Sequence, residues 1–146
     1  MIDADNIGHV MQPDDYSCAC AVAAMLLDRP LAELVAEMRP SPRTGVPHRR
    51  LIAALRAGGL RVEDRFKSIH ARPLPDVAVV RVTWGDRRVG HVVLKVQRRW
   101  FDPLLARPFT GMPPDAVVTS RNIVPWSGGG RITSSLEVRD ALERCP

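Results

Sequence analysis

The sequence predicts an α+β fold in which helices come first and an antiparallel sheet follows. The chain has 146 residues, of which 45% are hydrophobic and 25% charged, the size and balance of one globular domain. Apolar residues between 18 and 57 recur at the helical period, whereas later segments are β-branched runs between turn residues. Such segregation is typical of the α+β class, and we expect residues 1–146 to form a single domain.

The first helix is predicted over residues 18–28. The polar stretch before it ends at Ser17, a residue type that caps helix N-termini. The segment CACAVAAMLLD is rich in alanine and apolar on every side, which is typical of a helix buried in a core. We therefore expect Cys18 to lie in the first turn of a buried helix.

Two shorter helices are predicted next. An apolar stripe at 3.6-residue spacing indicates a helix over 30–38, and a second stripe indicates one from His48 to the glycines at 58–59. Pro47 stands where a helix begins, a position that proline favours. His48 falls on the apolar face of its helix, which predicts a histidine in the core.

Strand patterns dominate after residue 60, and a helix is predicted to end the chain. Gly85 to Arg88 and the pair Gln97-Arg98 are predicted turns between strands. The C-terminal segment, Leu136 to Cys145, is interpreted as a helix. The predicted strands cover residues 60–62, 77–84, 89–96, 99–105, 116–120 and 122–126.

The formal charge of +5 does not indicate a nucleic-acid partner. Lys67 and Lys95 are the only lysines among the 21 basic residues, and the arginines are scattered in ones and twos rather than forming a stripe. Zinc-finger and helix-turn-helix spacings are absent from the sequence. No apolar run approaches the ~18 residues of a membrane span, and no signal peptide is apparent. We therefore expect a cytoplasmic protein of bacterial type, with signal-less secretion left open.

The three cysteines are expected to be free thiols. Their number is odd and no secretory signal precedes them, which argues against a disulfide framework. Cys18 and Cys20 are two apart on a helix, so they point roughly 200° apart and cannot chelate one ion together. The histidines lack the spacing of metal ligands. No metal or cofactor is therefore expected, and a catalytic thiol is the alternative that stays open.

Cys18 is the predicted nucleophile, because the N-terminus of a helix stabilises a thiolate. A thiol nucleophile needs a base, and that base is normally oriented by a third polar group. A donor for the oxyanion is also needed, and the side chain of Gln12 with the backbone N–H of Cys18 can supply two hydrogen bonds.

His91 and Asp102 are the predicted base and orienting acid. If Gln97-Arg98 is a two-residue turn, His91 lies opposite Leu104 in the hairpin. Asp102 then lies opposite Val93. This register makes His91 and Asp102 diagonal neighbours on one face, within side-chain reach, whereas a three-residue turn would separate them. Asn122, with Trp126, resembles the Asn and Trp that follow the histidine in papain, and it ranks far behind Asp102 as a candidate for the orienting role.

These motifs, in this order, resemble the papain-like cysteine peptidases. The match is strongest to the bacteriocin-processing peptidases, the C39 and C39-like group, and it covers about residues 8–105. Ala19 and Ser17 depart from the family, which has glycine after the nucleophile and often an acidic residue before it. The segments that carry the resemblance are QPDDYSCACAVAAML, TGVPHRRLIAALRAGGLRVE, LPDVAVVRV, GHVVLKV and FDP.

The resemblance implies a papain-like fold, with the nucleophile at a helix N-terminus packed on a C-terminal antiparallel sheet. It implies that Gln12 is the oxyanion donor, Cys18 the nucleophile, His91 the general base and acid, and Asp102 the orienting acid. The implied function is hydrolysis of a peptide bond in a polypeptide substrate, such as a leader peptide or a target protein. Two alternatives stay open: a deamidase or transglutaminase-type effector toxin, and a non-catalytic module that binds a leader peptide or protein.

Overall fold

Three helices precede the sheet, as the α+β prediction requires. A computed structural model describes residues 2–84, 90–105, 107–110, 117, 118, 123, 124 and 130–141. A short 3-10 helix, Ala4–Asn6, comes first. The α-helices are α1 (Cys18–Leu27), α2 (Leu31–Met38) and α3 (His48–Ala57).

Helix α1 is the centre of the core. Every residue from Ala19 to Met25 is buried, as its uniformly apolar composition predicts. Ser17 precedes the helix, but its side chain makes no capping hydrogen bond, contrary to the prediction. Its backbone, at φ −103° and ψ 18°, lies outside the extended region that a capping residue normally adopts.

Helices α2 and α3 each bury one stripe, and both cover α1. Leu34 and Met38 are buried from α2, and Leu51 and Leu55 from α3. The core position predicted for His48 is wrong, because its side chain is exposed at the start of α3 and its ring packs against that of Phe66. Helix α3 begins at the surface, so the side chain of its first residue, His48, is exposed although it lies on the apolar stripe of the helix.

Seven of the described strands form one antiparallel sheet. Their order is β1-β9-β3-β4-β5-β6, and β2 also pairs with β9, while β7 and β8 form a separate pair. Strand β2 was not among the predicted strands. The strands are β1 (Arg61–Val62), β2 (Lys67–Ser68), β3 (Val77–Trp84), β4 (His91–Val96), β5 (Arg99–Phe101), β6 (Phe109–Thr110), β7 (Val117–Val118), β8 (Ile123–Val124) and β9 (Gly130–Arg139).

The predicted C-terminal helix is wrong. Strand β9 lies between β1 and β3, and Leu136, where the helix was predicted to begin, pairs with Val79 of β3. Ile132 and Leu136 are both buried, in clusters on opposite faces of the sheet. Pairing along the whole of β3 outweighs the weak local preference of this segment. Residues 142–146, including Cys145, lie outside the described part of the chain.

The hairpin between β4 and β5 has the predicted two-residue turn. Val96 pairs with Arg99, and Gln97 has a φ of 56°, in the left-handed region that such turns use. The predicted strand to Leu105 is too long, because β5 ends at Phe101. Beyond that point the chain turns, and the N–H of Leu105 donates to the Asp102 carbonyl at 2.9 Å. Proline at 103 has no N–H to continue the ladder.

A half-buried carboxylate, that of Glu63, links β9 to the segment before β2. Glu63 accepts hydrogen bonds from Arg72 and from the backbone N–H of Glu137, and its carboxylate pairs with Lys67. Burial opposes ionisation of Glu63, but these donors outweigh it and lower its pKa to about 2.

Some predictions concern residues that the structure does not describe. The turn at 85–88, the alternative orienting residue Asn122 and the thiol Cys145 lie outside the described residues. Among the helices that are described, none has the length and hydropathy needed to cross a membrane.

Candidate active site

Cys18 occupies the first position of α1. Its side chain is half-buried, while Ser17 before it and Ala19 after it are buried. Backbone N–H groups in the first turn of a helix have no partner within the helix, and they give this end a partial positive charge. The thiol therefore lies where a negative charge on sulfur is stabilised and a small molecule can still reach it.

His91 begins β4 and is bound to Asp102. Its Nε2–H donates to the Oδ1 atom of Asp102 at 2.7 Å, as the predicted hairpin register allows. Both residues are buried, with 7% and 1% of their surface exposed. The same Oδ1 accepts from the N–H of Leu104 at 2.9 Å, so the turn after β5 holds the carboxylate in place.

The Cys18 side chain lies close enough to His91 to raise the pKa of the imidazole. Because Nε2 faces Asp102, Nδ1 is the ring nitrogen left to exchange a proton with the thiol. Burial is the largest influence on His91 and lowers its pKa, but the hydrogen bonds and charges of Asp102 and Cys18 outweigh it. Together they raise the pKa of His91 to about 9.

The packing of α1 against β4 brings the thiol and the imidazole together. These elements are far apart in sequence, and no local pattern places them in contact.

The N-terminal segment is attached to the turn that follows Asp102. The backbone N–H of Gln12 donates to the Pro103 carbonyl at 2.9 Å. The ring of His9 binds the Leu105 carbonyl at 2.6 Å. The loop before α1 is thus attached to the chain that directly follows the carboxylate.

The Gln12 side chain lies in this loop, but its amide is turned toward Asp14. Its Nε2 donates to the Asp14 carbonyl at 2.6 Å, and its Oε1 is buried without a partner among the described residues. An amide nitrogen carries two hydrogens, so one is left for another acceptor. The structure therefore places Gln12 beside the candidate site without a direct contact to the thiol.

The second helical thiol, Cys20, has no access to this chemistry. It is 0% exposed, and its pKa is raised to about 11, mainly by burial and further by Cys18 and Asp14. A thiol of this kind stays protonated and behaves as a small apolar side chain. Within the described ranges, no three His, Cys, Asp or Glu side chains are grouped in a way that could hold a metal ion.

Sequence reasoning did not single out Arg81, whose side chain lies against the residue that precedes His91. Arg81 pairs with Val92 in the ladder between β3 and β4, and its guanidinium lies over Gly90, the residue before His91. A single arginine in a strand of mostly β-branched residues does not by itself indicate a functional role. Only the register of β3 on β4 brings it to Gly90.

Comparison with solved structures identifies the fold. The chain is similar to a crystal structure described as a double glycine motif protease from an AMS/PCAT transporter in complex with the leader peptide. The TM-score is 0.61 at 14% sequence identity, and the match covers 92% of this chain and 91% of the other. The predicted papain-like α+β fold is thereby confirmed. A scan of protein-family models and a search of curated proteins gave no match to the sequence.

Proposed function

We propose that this protein is a cysteine peptidase of the bacteriocin-processing type. The observation that carries the proposal is a cluster of three side chains: Cys18 at the N-terminus of a buried helix, His91 close enough for Cys18 to raise its pKa, and Asp102 hydrogen-bonded to His91. Nucleophile, base and orienting group are the three parts that thiol acyl transfer requires. In this proposal Cys18 is the nucleophile, His91 the general base and acid, and Asp102 the group that orients the imidazole.

The first step transfers the thiol proton of Cys18 to His91 Nδ1. With the pKa of His91 raised to about 9, the imidazolium form is favoured at neutral pH, and it pairs with the thiolate. The thiolate sulfur then attacks the carbonyl carbon of the substrate. A C–S bond forms while the electron pair of the C=O bond moves onto oxygen.

The oxyanion needs donors near the sulfur. The backbone N–H of Cys18 lies in the first turn of α1, where N–H groups have no helical partner. The second amide hydrogen of Gln12 is the other proposed donor, because the first is used by Asp14. Removing a single donor of this kind from an acyl-transfer enzyme typically costs about 10²–10³ in kcat.

The remaining steps return the proton and release the product. His91 gives its proton to the leaving amine as the C–N bond breaks, which leaves a thioester on Cys18. His91 then takes a proton from water, and the resulting hydroxide attacks the thioester carbonyl. The products are an amine and a carboxylic acid, and the thiol is regenerated.

The substrate in this proposal is a polypeptide with small residues at the cleavage point. The similarity to a double glycine motif protease that was crystallised with a leader peptide supports that choice. The substrate must also reach a sulfur that is only half-buried, beside a histidine that is almost wholly covered.

The proposal is tested by alkylation at pH 6 followed by mass spectrometry of each cysteine. We expect iodoacetamide to modify Cys18 before Cys20 and Cys145, and we expect that selectivity to be lost in His91→Ala. Cys20 is the internal control, because burial raises its pKa to about 11. Equal labelling of Cys18 in both proteins would contradict the proposal and favour a non-catalytic binding module.

A second measurement distinguishes hydrolysis from the other reactions of a thiol acyl transferase. Peptides that contain a double glycine are incubated with the wild-type protein and with Cys18→Ala, and the masses of the products are measured by mass spectrometry. Hydrolysis creates a new N-terminus that is missing with Cys18→Ala. An intact peptide whose mass rises by about one unit, the replacement of an amide by a carboxyl group, would instead identify a deamidase.

A further inference from the structure

The turn that begins at Asp102 is held by hydrogen bonds rather than by its own side chains. It is a β-turn over residues 102–105, in which the N–H of Leu105 donates to the Asp102 carbonyl at 2.9 Å. Inside the turn, the N–H of Leu104 donates to the Asp102 carboxylate at 2.9 Å. The residues Leu104 and Leu105 are 49% and 42% exposed, so they bury little apolar surface that would fix the turn. Its position therefore depends on contacts that reach it from elsewhere in the chain.

One of these contacts comes from the side chain of His9. Its Nε2 lies 2.6 Å from the Leu105 carbonyl oxygen. A carbonyl oxygen only accepts, so Nε2 carries the proton and the ring is the donor. The same ring stacks on that of Phe101, with the centroids 6.1 Å apart and the planes inclined by 28°. Phe101 directly precedes the turn and Leu105 ends it, so one ring contacts the chain on both sides of Asp102.

The backbone around His9 is itself attached to the core. Ile7 and Val10, on either side of it, are partly buried and pack against the core cluster that contains α1. The Nδ1 atom of the His9 ring is buried and has no partner among the described residues. An acceptor buried without a donor carries a cost, so this nitrogen does not account for the placement of the ring. The ring is therefore held by its bond to Leu105 and by its packing on Phe101.

The N-terminal segment meets the turn at one further point. The backbone N–H of Gln12 donates to the Pro103 carbonyl at 2.9 Å. That bond holds the second residue of the turn and leaves its last residue, Leu105, to the contact with His9. Of the two bonds, only the one from His9 is made by a side chain. It is therefore the attachment that depends on which residue occupies its position.

We propose that His9 is a positioning residue that holds the turn of Asp102 so that its carboxylate stays bound to the His91 ring. This inference rests on the proposed peptidase function and adds a residue to its machinery. His9 does not touch the reacting atoms, and it acts through Leu105 and Phe101. Oδ1 of Asp102 lies 2.7 Å from Nε2 of His91, and catalytic groups must be held within about 0.5 Å of their productive geometry. A turn released at its last residue does not meet that tolerance.

Two variants separate the hydrogen bond of His9 from its stacking. His9→Phe keeps a ring against Phe101 but has no donor for Leu105, whereas His9→Gln loses the ring but places an amide N–H at the reach of Nε2. The readout is the midpoint of the His91 ring in an NMR titration of the folded protein, which a change in overall stability does not move. We expect the midpoint to fall by about 0.5–1 unit in His9→Phe, part of the ~1–3 units that an opposite charge at contact distance contributes. We expect His9→Gln to restore at least half of that fall.

A double variant shows whether His9 acts through the carboxylate. In Asp102→Asn the charge that His9 is proposed to position is gone, so adding His9→Phe is expected to move the His91 midpoint by less than about 0.2 unit.

His70→Phe is the matched control, because it makes the same substitution at an exposed histidine beyond β2, and β9 and β3 lie between β2 and β4. We expect its His91 midpoint to equal that of the wild type. If His9→Phe does not fold, His9→Asn takes its place, because its shorter amide does not reach Leu105.

The outcomes separate this inference from the proposed function. An unchanged His91 midpoint in His9→Phe, with Cys18 still alkylated by iodoacetamide in a His91-dependent manner, overturns the role of His9 alone. A fall of the same size in the Asp102→Asn background also overturns it, because His9 would then act by a route other than the carboxylate. If Cys18 shows no His91-dependent alkylation in the wild-type protein, the peptidase function fails, and with it the role of His9 in the reaction.

Discussion

Asp102→Asn is the most informative substitution in the candidate site, because it removes a charge and preserves a shape. The Oδ1 atom of Asp102 accepts from His91 at 2.7 Å and from the N–H of Leu104 at 2.9 Å. A carboxamide oxygen in the same place can accept both hydrogen bonds. The ring of His91 therefore keeps its orientation in the variant while its negative partner is lost.

The size of the effect follows from the environment of His91. Its pKa is about 9 against an ordinary value of 6.5, although burial, the largest influence, acts in the opposite direction. The rise comes from Asp102 and Cys18, with the hydrogen bond to Asp102 first among these contributions. An opposite charge at contact distance typically shifts a pKa by ~1–3 units. We expect the pKa of His91 to fall by about 1–2 units in Asp102→Asn.

The sign of the pH dependence follows from the same value. His91 must hold its proton to protonate the leaving amine, so hydrolysis slows as the pH rises through about 9. In Asp102→Asn this decline begins at a lower pH. A raised pKa in the folded state also stabilises the fold below pH 6.5, and that stability is lost as the pH rises through about 9. The loss is about 3 kcal/mol in the wild type, from a pKa of about 9 against 6.5, and smaller in the variant.

The direct assay is an NMR titration of the His91 ring, with the alkaline decline of kcat/KM as the functional counterpart. Asp28→Asn is the matched control: Asp28 ends α1 at the opposite end from Cys18, at a φ of 50° that asparagine also adopts readily. We expect its His91 midpoint to equal that of the wild type. The same midpoint in Asp102→Asn and in the wild type would refute the role of the Asp102 charge.

Three further predictions concern other parts of the molecule. Gln12→Ala is expected to lower kcat for peptide hydrolysis about 10²-fold with little change in KM, and an effect on KM alone would contradict an oxyanion role. Glu63→Gln is expected to lower the free energy of unfolding in urea by about 1–2 kcal/mol at pH 7, against less than about 0.5 for the exposed Glu33→Gln. Because the pKa of Glu63 is about 2, this difference should vanish as the pH falls toward that value. Leu136→Ala, at a side chain that is 0% exposed, is expected to cost about 2–5 kcal/mol, and a cost below about 1 kcal/mol would argue against its place in the core.

The sequence by itself determined the features that depend on neighbouring residues. An alanine-rich apolar run is buried whatever it packs against, so α1 and the place of Cys18 in its first turn were predictable. A two-residue turn determines the pairing of its own strands, so the hairpin register that brings His91 to Asp102 was predictable as well. In both cases the physical cause lies within about twenty residues of chain.

The tertiary structure decided the features whose cause lies in a distant segment. The C-terminal segment from Gly130 is a strand because it pairs with β3 over most of its length. The local sequence of the segment does not indicate that this partner is present. The amide of Gln12 turned toward Asp14 through contacts within a loop that has no periodic pattern. Arg81 reached Gly90 only because β3 pairs with β4 in one register. Local propensity is a weak guide at such positions, since the free energy comes from pairing and packing between residues far apart in the chain.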